Sequence, residues 1–270
     1  MPELPEVESV CRGLKPLAVN KRISKAIVRQ HKLREMIPDN INELVSDREI
    51  VNIFRRAKYI IIELDNKSYL IIHLGMSGTF TYQKSTSEVL KHSHIDFVLD
   101  NNDILRYTDP RKFGMVLWEQ DYLNNKYIKR CGLEPLTEDF MDNFLYEQTR
   151  NKKTPIKPFL MKNDIVVGVG NIYASESLFQ AKISPLKKSC DLTKEECFRL
   201  SEKIQKILLF SIENGGTTLK DHRTGLDEKG KFQNNLSVYG QDNCQVCDTK
   251  IEKITQSQRT TYYCPNCQKL

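Results

Sequence analysis

Two Cys-x2-Cys pairs near the C-terminus limit what this chain can fold into more than any other feature. Cys244 and Cys247 are separated by sixteen residues from Cys264 and Cys267. Two thiolate pairs at this spacing are typical of a tetrahedral site that holds one structural Zn²⁺. A segment of this length has too little apolar core to fold without the metal. Four free thiols are the alternative, and the spacing favours zinc.

The first eight residues carry a second chemical signal. Pro2 has a free secondary amine once the initiator Met is removed, and Glu3 follows it. Apolar residues between Leu4 and Leu17 recur at helical spacing, which places Pro2 just before a helix N-terminus. The partial positive charge there disfavours a protonated amine, and the free lone pair can form a Schiff base while Glu3 moves protons. An ordinary acidic helix start with a solvated terminus also suits these residues.

Charge and hydropathy indicate the class of partner. The formal net charge is +6, and the excess lies in residues 151–270, since positive and negative residues balance over 1–150. A basic C-terminal half favours a polyanion such as nucleic acid. No apolar run approaches the roughly 20 residues that span a bilayer, and no secretory signal opens the chain. We therefore expect a cytoplasmic protein without a membrane partner, in which Cys11, Cys131, Cys190 and Cys197 are buried or free thiols.

The N-terminal half is predicted to be rich in strands after its first helix. A strand is expected at Ile23–Val28, and the region around Leu44–Val51 suggests mixed strand and loop. Tyr59–Leu64 and Tyr69–Leu74 are β-branched and aromatic-rich around a short turn, which predicts a hairpin. Two further strands at residues 95–107 predict a second one.

The pattern becomes helical after about residue 132. Helices are expected near Ile156–Met161, after the glycine turn at 168–170, and from a Thr193–Glu196 capping box to Ile212. The glycine turn lacks the third glycine and the βαβ context of a dinucleotide site, so we exclude a Rossmann-type oxidoreductase. The glycine turn could instead hold a phosphate at a helix N-terminus. Thr217–Val238 has few apolar anchors and is predicted to be a lid or a partly disordered loop.

Several loop and strand-end residues allow two interpretations each. Lys58 is either partly buried beside an apolar strand or an ordinary surface lysine. Met76, between two glycines, either points outward or packs into the core. Phe113, beside two cations, either stacks on bases or plugs the core. His92 and His94 lack a nearby third metal ligand, so a phosphate contact or a plain surface position is expected for them.

Together these segments resemble the bacterial formamidopyrimidine-DNA glycosylases, DNA repair enzymes related to endonuclease VIII. Leu4 and the long lid favour this family over endonuclease VIII. The resemblance covers essentially the whole chain. Its segments are Pro-Glu-Leu-Pro-Glu-Val-Glu at 2–8, Arg-Arg-Ala-Lys-Tyr at 55–59, His-Leu-Gly-Met-Ser-Gly at 73–78, Thr-Asp-Pro-Arg-Lys-Phe-Gly at 108–114, Gly-Val-Gly-Asn-Ile-Tyr-Ala-Ser-Glu at 168–176, Gly-Gly-Thr-Thr-Leu-Lys-Asp at 215–221 and the four cysteines.

The resemblance implies an α+β fold. It predicts an N-terminal helix with a β-sandwich-like catalytic domain at 1–132. A helix-two-turn-helix DNA-binding domain follows at 133–236, with a lesion-capping loop at about 217–237. A β-hairpin zinc finger completes the chain at 237–270.

The implied activity is a bifunctional DNA glycosylase and abasic-site lyase acting on oxidised purines such as 8-oxoguanine and formamidopyrimidines. Four catalytic residues carry over: Pro2 as nucleophile at C1′, Glu3 as acid/base, Lys58 as proton donor in β-elimination and Arg259 in δ-elimination. The DNA-binding positions are His73, Met76, His92, Arg111, Phe113, Lys152, Lys157 and Asn171, among which Met76, Arg111 and Phe113 form a wedge that fills the space of the flipped base.

The implied partner is double-stranded DNA with oxidised bases or abasic sites, and the implied state is a monomer. Two alternatives remain at this point. One is an endonuclease VIII-like enzyme that prefers oxidised pyrimidines. The other is a zinc-ribbon DNA-binding protein without catalysis.

Overall fold

The computed structural model describes residues 2–141, 143–218 and 224–270. The chain divides into two compact units, one made of residues 1–129 with 212–233 and the other of residues 130–211 with 234–270. The predicted boundaries at 132 and 236 stay predictions. Part of the predicted lesion-capping loop, residues 219–223, lies outside the described residues.

Helix α1 (Leu4–Ala18) opens the first unit, as its apolar spacing predicts. Its buried stripe ends at Ala18, whereas Leu17 is only half-buried. The helix begins with a capping box, in which the Glu3 and Glu6 side chains each accept a hydrogen bond from the other residue's backbone N–H. This buried face packs against strands of the sheet. The start of α1 therefore lies against the β-rich layer.

The first unit contains eight antiparallel strands that follow α1. The strands are β1 (Arg22–Val28), β2 (Arg48–Arg56), β3 (Tyr59–Leu64), β4 (Tyr69–His73), β5 (Thr79–Gln83), β6 (Ser93–Leu99), β7 (Ile104–Thr108) and β8 (Met115–Glu119). They lie in the order β5-β7-β6-β1-β2-β3-β4-β8. Both predicted hairpins are confirmed, as β3–β4 and β6–β7.

The sheet divides into two four-stranded halves, β5-β7-β6-β1 and β2-β3-β4-β8. Strands β1 and β2 pair only at Arg22–Glu49 and Ile23–Arg48. Buried side chains of both halves, among them Phe97 and Ile62, join the α1 stripe in one apolar cluster. Successive strand residues face opposite sides of a sheet, so Ile61 lies on the other face of β3, in a smaller cluster with Ile128. The arrangement is the predicted β-sandwich-like domain.

The prediction of mixed strand and loop around Leu44–Val51 is only partly right. Strand β2 begins at Arg48, but Ile41–Val45 forms a short helix, α2, where no helix was predicted. Ile41 and Val45 are both buried, and four residues apart they lie on the same face of a helix. Their burial in the main cluster overrides the β propensity of these residues.

Among its described residues, the second unit contains four α-helices and a hairpin. They are α3 (Phe144–Thr149), α4 (Ile156–Leu160), α5 (Asn171–Gln180), α6 (Lys194–Glu213), β9 (Glu252–Gln256) and β10 (Arg259–Tyr263). The predicted capping box of α6 is confirmed, because Thr193 N–H donates to Glu196 Oε2 at 2.9 Å and Glu196 N–H to Thr193 Oγ1 at 3.2 Å. Every described helix is too short or too polar to cross a membrane.

Candidate functional site

Pro2 and Glu3 lie buried at the start of α1. Glu3 is the N-cap residue, and its N–H donates to Glu6 Oε2 at 2.7 Å. The backbone next to Pro2 is therefore fixed by a hydrogen bond to the buried Glu6 carboxylate. The alternative of a solvated terminus concerns Met1, which lies outside the described residues, so it stays open.

Glu6 also accepts a hydrogen bond from a residue that is distant in sequence. Its Oε1 accepts the N–H of Thr217 at 2.7 Å. A Cβ added at Gly216, whose φ is +79°, would lie 3.0 Å from Glu6 Oε1. The segment after Gly216 can therefore approach α1 only because residue 216 has no side chain. The N-terminal residues and the start of the predicted lid thus share one carboxylate.

Lys58 occupies the turn between β2 and β3 and is 6 % exposed, so the interpretation as a surface lysine is wrong. Arg55 ties this turn to α1. Its Nε donates to Glu8 Oε2 at 3.1 Å, and its Nη1 donates to the carbonyl of Ala57 at 3.0 Å. Ala57 has a φ of +53°, which directs the backbone sharply into Lys58.

His73 ends strand β4 and is a neutral hydrogen-bond donor at ordinary pH. Burial, followed by the neighbouring charges of Lys58 and Arg34, lowers the pKa of its imidazole to about 4. Nδ1 accepts the N–H of Gly75 at 3.0 Å, so the proton of the neutral ring is on Nε2. A neutral N–H suits a phosphate oxygen without adding charge to the site.

We expect the His73 ring to remain neutral as the pH is lowered from 8 to 5. Its folded pKa of about 4 lies below the ordinary value of 6.5, so its contribution to stability is complete above pH 6.5 and declines as the pH falls towards 4. An NMR titration of the ring signals tests this, with a histidine-containing model peptide in the same buffer as reference. A His73 signal that shifts with a midpoint near 6.5 contradicts the prediction.

Met76 and Phe113 project from two adjacent loops of the first unit. Met76 is 41 % exposed and Phe113 is 48 % exposed, so the core interpretations of both residues are wrong. The Arg111 guanidinium lies 4.8 Å from the centre of the Phe113 ring, a cation–π contact. Both apolar residues line an open cavity of about 350 Å³ together with Arg34 and His73. An exposed apolar pair beside guanidinium groups is suited to insertion between bases.

The two histidines at the start of β6 have different environments. His92 has a φ of +75° and lies at the end of the loop that follows β5. His94 lies inside β6 and is buried, and its Nε2 is 2.7 Å from the carbonyl oxygen of Asp109. The expectation of a phosphate contact or surface position is therefore wrong for His94, which is buried where the register of β6 shifts between Ser93 and Ile95.

In the second unit, Lys157 and Asn171 are joined to the C-terminal hairpin. Lys157 is 1 % exposed, and its Nζ donates to Asn171 Oδ1 and, at 2.8 Å, to Thr261 Oγ1. Asn171 Nδ2 donates to the carbonyl of Thr260 at 2.9 Å. Asn171 begins α5, so this cluster combines a buried ammonium with a helix N-terminus, two features that favour an anion.

Arg259 stands at the tip of the β9–β10 hairpin and is exposed. The connecting residues Ser257 and Gln258 both have positive φ, as a two-residue hairpin turn requires. Lys152 is likewise exposed, in the segment between α3 and α4. Both side chains lie on the open surface, where an extended ligand such as a nucleic-acid backbone can reach them.

The four C-terminal cysteines converge as their spacing predicts. All four Sγ atoms lie within 4.8 Å of one another. The Sγ atoms of Cys247 and Cys264 are 3.5 Å apart and those of Cys244 and Cys267 are 3.9 Å apart. Tetrahedral thiolates on zinc are about 3.8 Å apart, given a Zn–S bond of about 2.3 Å. The donor set fits one closed, structural Zn²⁺.

Sequence reasoning missed three buried carboxylates. Besides Glu6, Asp109 accepts hydrogen bonds within the loop that carries Arg111 and Phe113. Glu176 of α5 accepts the N–H groups of residues 237, 238 and 239 at 2.8–3.0 Å, and its burial raises the pKa of its carboxyl. All three lie within the segments that carry the resemblance. Each also has a partner far away in the chain, 32 residues from Asp109, 61 to 63 from Glu176 and 211 from Glu6, so local pattern does not reveal their burial.

Three family models match successive parts of the chain. Residues 1–116 match the formamidopyrimidine-DNA glycosylase N-terminal domain, and residues 131–223 match the formamidopyrimidine-DNA glycosylase H2TH domain. Residues 243–270 match a zinc finger found in FPG and IleRS. The three matches follow the order of the segments described above.

Full-length relatives agree with these matches. A formamidopyrimidine-DNA glycosylase of Serratia proteamaculans is 46 % identical over 271 residues, covering 100 % of both chains. A Lactococcus lactis FPG mutant in complex with Fapy-dG-containing DNA superposes with a TM-score of 0.92 at 33 % identity, covering 100 % of both chains. The wild-type L. lactis protein, in complex with DNA containing an oxidised pyrimidine, superposes with a TM-score of 0.91 at 33 % identity over the same coverage.

Proposed function

Because the chain belongs to the formamidopyrimidine-DNA glycosylase family, we propose that it excises oxidised purines from duplex DNA and then cleaves the strand. The observation that carries the proposal is the buried Pro2–Glu3 pair at the start of α1, held by Glu6. A DNA-binding module without catalysis does not require a buried proline next to a buried carboxylate at positions 2 and 3.

The chemistry begins with the Pro2 nitrogen after removal of Met1. The N-terminal end of α1 disfavours its protonation, so its lone pair attacks C1′ of the damaged nucleotide. The C1′–base bond breaks, the base leaves with a proton, and Glu3 protonates the ring oxygen as the sugar opens. The product is an iminium between Pro2 and C1′, the Schiff base.

Strand cleavage follows from the same intermediate. The iminium acidifies the C2′ protons, so loss of one of them expels the 3′-phosphate in β-elimination, for which we assign Lys58 as proton donor. A second elimination expels the 5′-phosphate, for which we assign Arg259. The burial of Lys58 beside α1 and the exposed hairpin position of Arg259 support these two roles.

The base must leave the stack before this chemistry is possible, because C1′ is out of reach in an intact duplex. We assign Met76, Arg111 and Phe113 to the wedge that enters the space left by the displaced base. The exposure of Met76 and Phe113 and the contact between Arg111 and Phe113 suit insertion. His73, His92, Lys152, Lys157 and Asn171 contact phosphates.

Zinc has a structural role in this scheme. Cys244, Cys247, Cys264 and Cys267 would hold it and thereby keep the β9–β10 hairpin and Arg259 in place. The family further favours action as a monomer and, since its substrate is DNA, a cytoplasmic location.

A preference for oxidised pyrimidines is the second candidate, because a relative was crystallised with such a lesion. We expect the excision rate for 8-oxoguanine opposite cytosine to exceed that for an oxidised pyrimidine opposite guanine by about tenfold or more. Single-turnover assays on duplexes that differ only at the lesion pair measure this ratio, with an undamaged duplex as control. A ratio below one assigns the pyrimidine preference, and cleavage of neither duplex contradicts the proposed function.

A further inference from the structure

Asp109 connects the loop that carries Met76 to the loop that carries Arg111 and Phe113. Its Oδ1 accepts the hydroxyl of Ser77 at 2.9 Å and the N–H of Arg111 at 3.2 Å. Its Oδ2 accepts the N–H of Gly114 at 2.9 Å and the hydroxyl of Tyr107 at 3.3 Å. One carboxylate thus binds a residue adjacent to Met76 and residues on both sides of Phe113.

The backbone of Asp109 extends this network to His92. Its N–H donates to the carbonyl of His92 at 3.1 Å. Its carbonyl accepts the N–H of Lys112 at 3.2 Å and lies 2.7 Å from Nε2 of the buried His94. Asp109 is therefore bound through its side chain and both of its backbone groups.

The two loops pack backbone against backbone at this point. A Cβ added at Gly114 would lie 1.8 Å from the Tyr107 hydroxyl oxygen, and one added at Gly75 would lie 2.6 Å from the nitrogen of Gly114. Contacts this close require glycine at both positions. The two loops are therefore joined by direct backbone contact and by the hydrogen bonds at Asp109, which link the segment of Met76 to that of Phe113.

We propose that Asp109 is a positioning residue that holds Met76, Arg111 and Phe113 as one rigid wedge. This inference rests on the proposed function, because it concerns how a base is displaced from the duplex. Asp109 is fully buried, so we assign it no contact of its own with DNA. Its role is to keep the two exposed side chains at a fixed separation while stacked bases resist their entry.

Asp109→Asn tests the role with little change in shape. An amide keeps one acceptor oxygen and presents a donor in place of the other. In either orientation the donor faces a backbone N–H, that of Arg111 or that of Gly114, which then loses its acceptor. The hydroxyl groups of Ser77 and Tyr107 can rotate to accept a hydrogen bond from the new amide. The hydrogen bond that is lost is therefore one made by the backbone of the loop.

Two substrates separate positioning from simple loss of structure. Excision of 8-oxoguanine from a duplex requires a base to be displaced, whereas cleavage of a single-stranded oligonucleotide at a preformed abasic site does not. We expect Asp109→Asn to lower the first rate about tenfold or more and to leave the second within about twofold of the wild type. Ser77→Ala removes one hydrogen bond between the loops. We expect it to lower the ratio of the first rate to the second as well, but by a smaller factor than Asp109→Asn does.

Asp103→Asn is the matched control. Asp103 precedes β7, whereas Asp109 follows it, and its carboxylate likewise accepts from a tyrosine hydroxyl, that of Tyr82. This variant should leave the ratio of the two rates unchanged, and thermal unfolding of all three variants monitors their fold. Equal losses on both substrates, or no change in the ratio for Asp109→Asn and Ser77→Ala, overturn the inference. A wild-type protein inactive on both substrates contradicts the proposed function instead.

Discussion

A chain that retains Met1, or that carries one added residue before Pro2, is expected to form no covalent adduct with damaged DNA. An amide nitrogen has no available lone pair, so the attack on C1′ and the Schiff base are both lost. We expect the excision rate to fall about a thousandfold or more, since the remaining groups can only position the lesion.

Borohydride trapping measures this effect directly. The native-terminus protein is incubated with a duplex containing one 8-oxoguanine, and peptide mapping should place the reduced adduct on Pro2. The control is the same added residue after Leu270, which is exposed at the other end of the chain. An adduct of normal yield on a protein shown by mass spectrometry to retain Met1 would refute the assignment of Pro2.

Removal of zinc, by a chelator or by Cys267→Ser, is expected to unfold the hairpin and weaken DNA binding by about 100-fold. Structural zinc contributes about 10–16 kcal/mol to small finger domains, and the apolar cluster around Val238 and Ile251 is too small to replace it. Loss of β10 also removes Thr261 and Thr260, which bind Lys157 and Asn171, and it releases Arg259 from its position. If two charge-assisted hydrogen bonds to DNA no longer form, at about 1.5 kcal/mol each, the affinity falls by about 100-fold.

The measurement is a binding titration on a duplex with an abasic-site analogue, paired with metal analysis of each protein. Cys190→Ser is the control, because Cys190 lies in the same unit but outside the four-thiolate cluster. Unchanged affinity in a metal-free protein would show that the finger does not depend on zinc.

Much of the fold follows from short-range pattern. The helical spacing after Leu4, the β-branched runs of β3 and β4, and the Thr193–Glu196 capping box all predict elements that the structure contains. In each case the decisive residues lie within one window, so no knowledge of distant neighbours is needed. The helix at Ile41–Val45 was not predicted in this way, because its two buried residues favour a helix only where the main cluster covers them.

The family-like segments name the candidate site residues, but they leave the surroundings of those residues open. Met76 and Phe113 allowed an outward and an inward interpretation, and both turn out to be exposed. Lys58 allowed burial or exposure, and it is buried. The chemical roles assigned to Pro2, Glu3 and the other site residues stay predictions, which the adduct and wedge experiments test.

The sequence by itself determined the zinc site, the succession of helix, strands and finger, and the family to which the chain belongs. These depend on residue chemistry and on spacings along the chain. Only the tertiary structure decided that Glu6 binds Thr217, that Asp109 joins two loops, and that His94 turns inward. The physical reason is that burying a carboxylate or an imidazole requires partners for its polar atoms. Those partners come from segments that are distant in sequence and meet only when the core has formed.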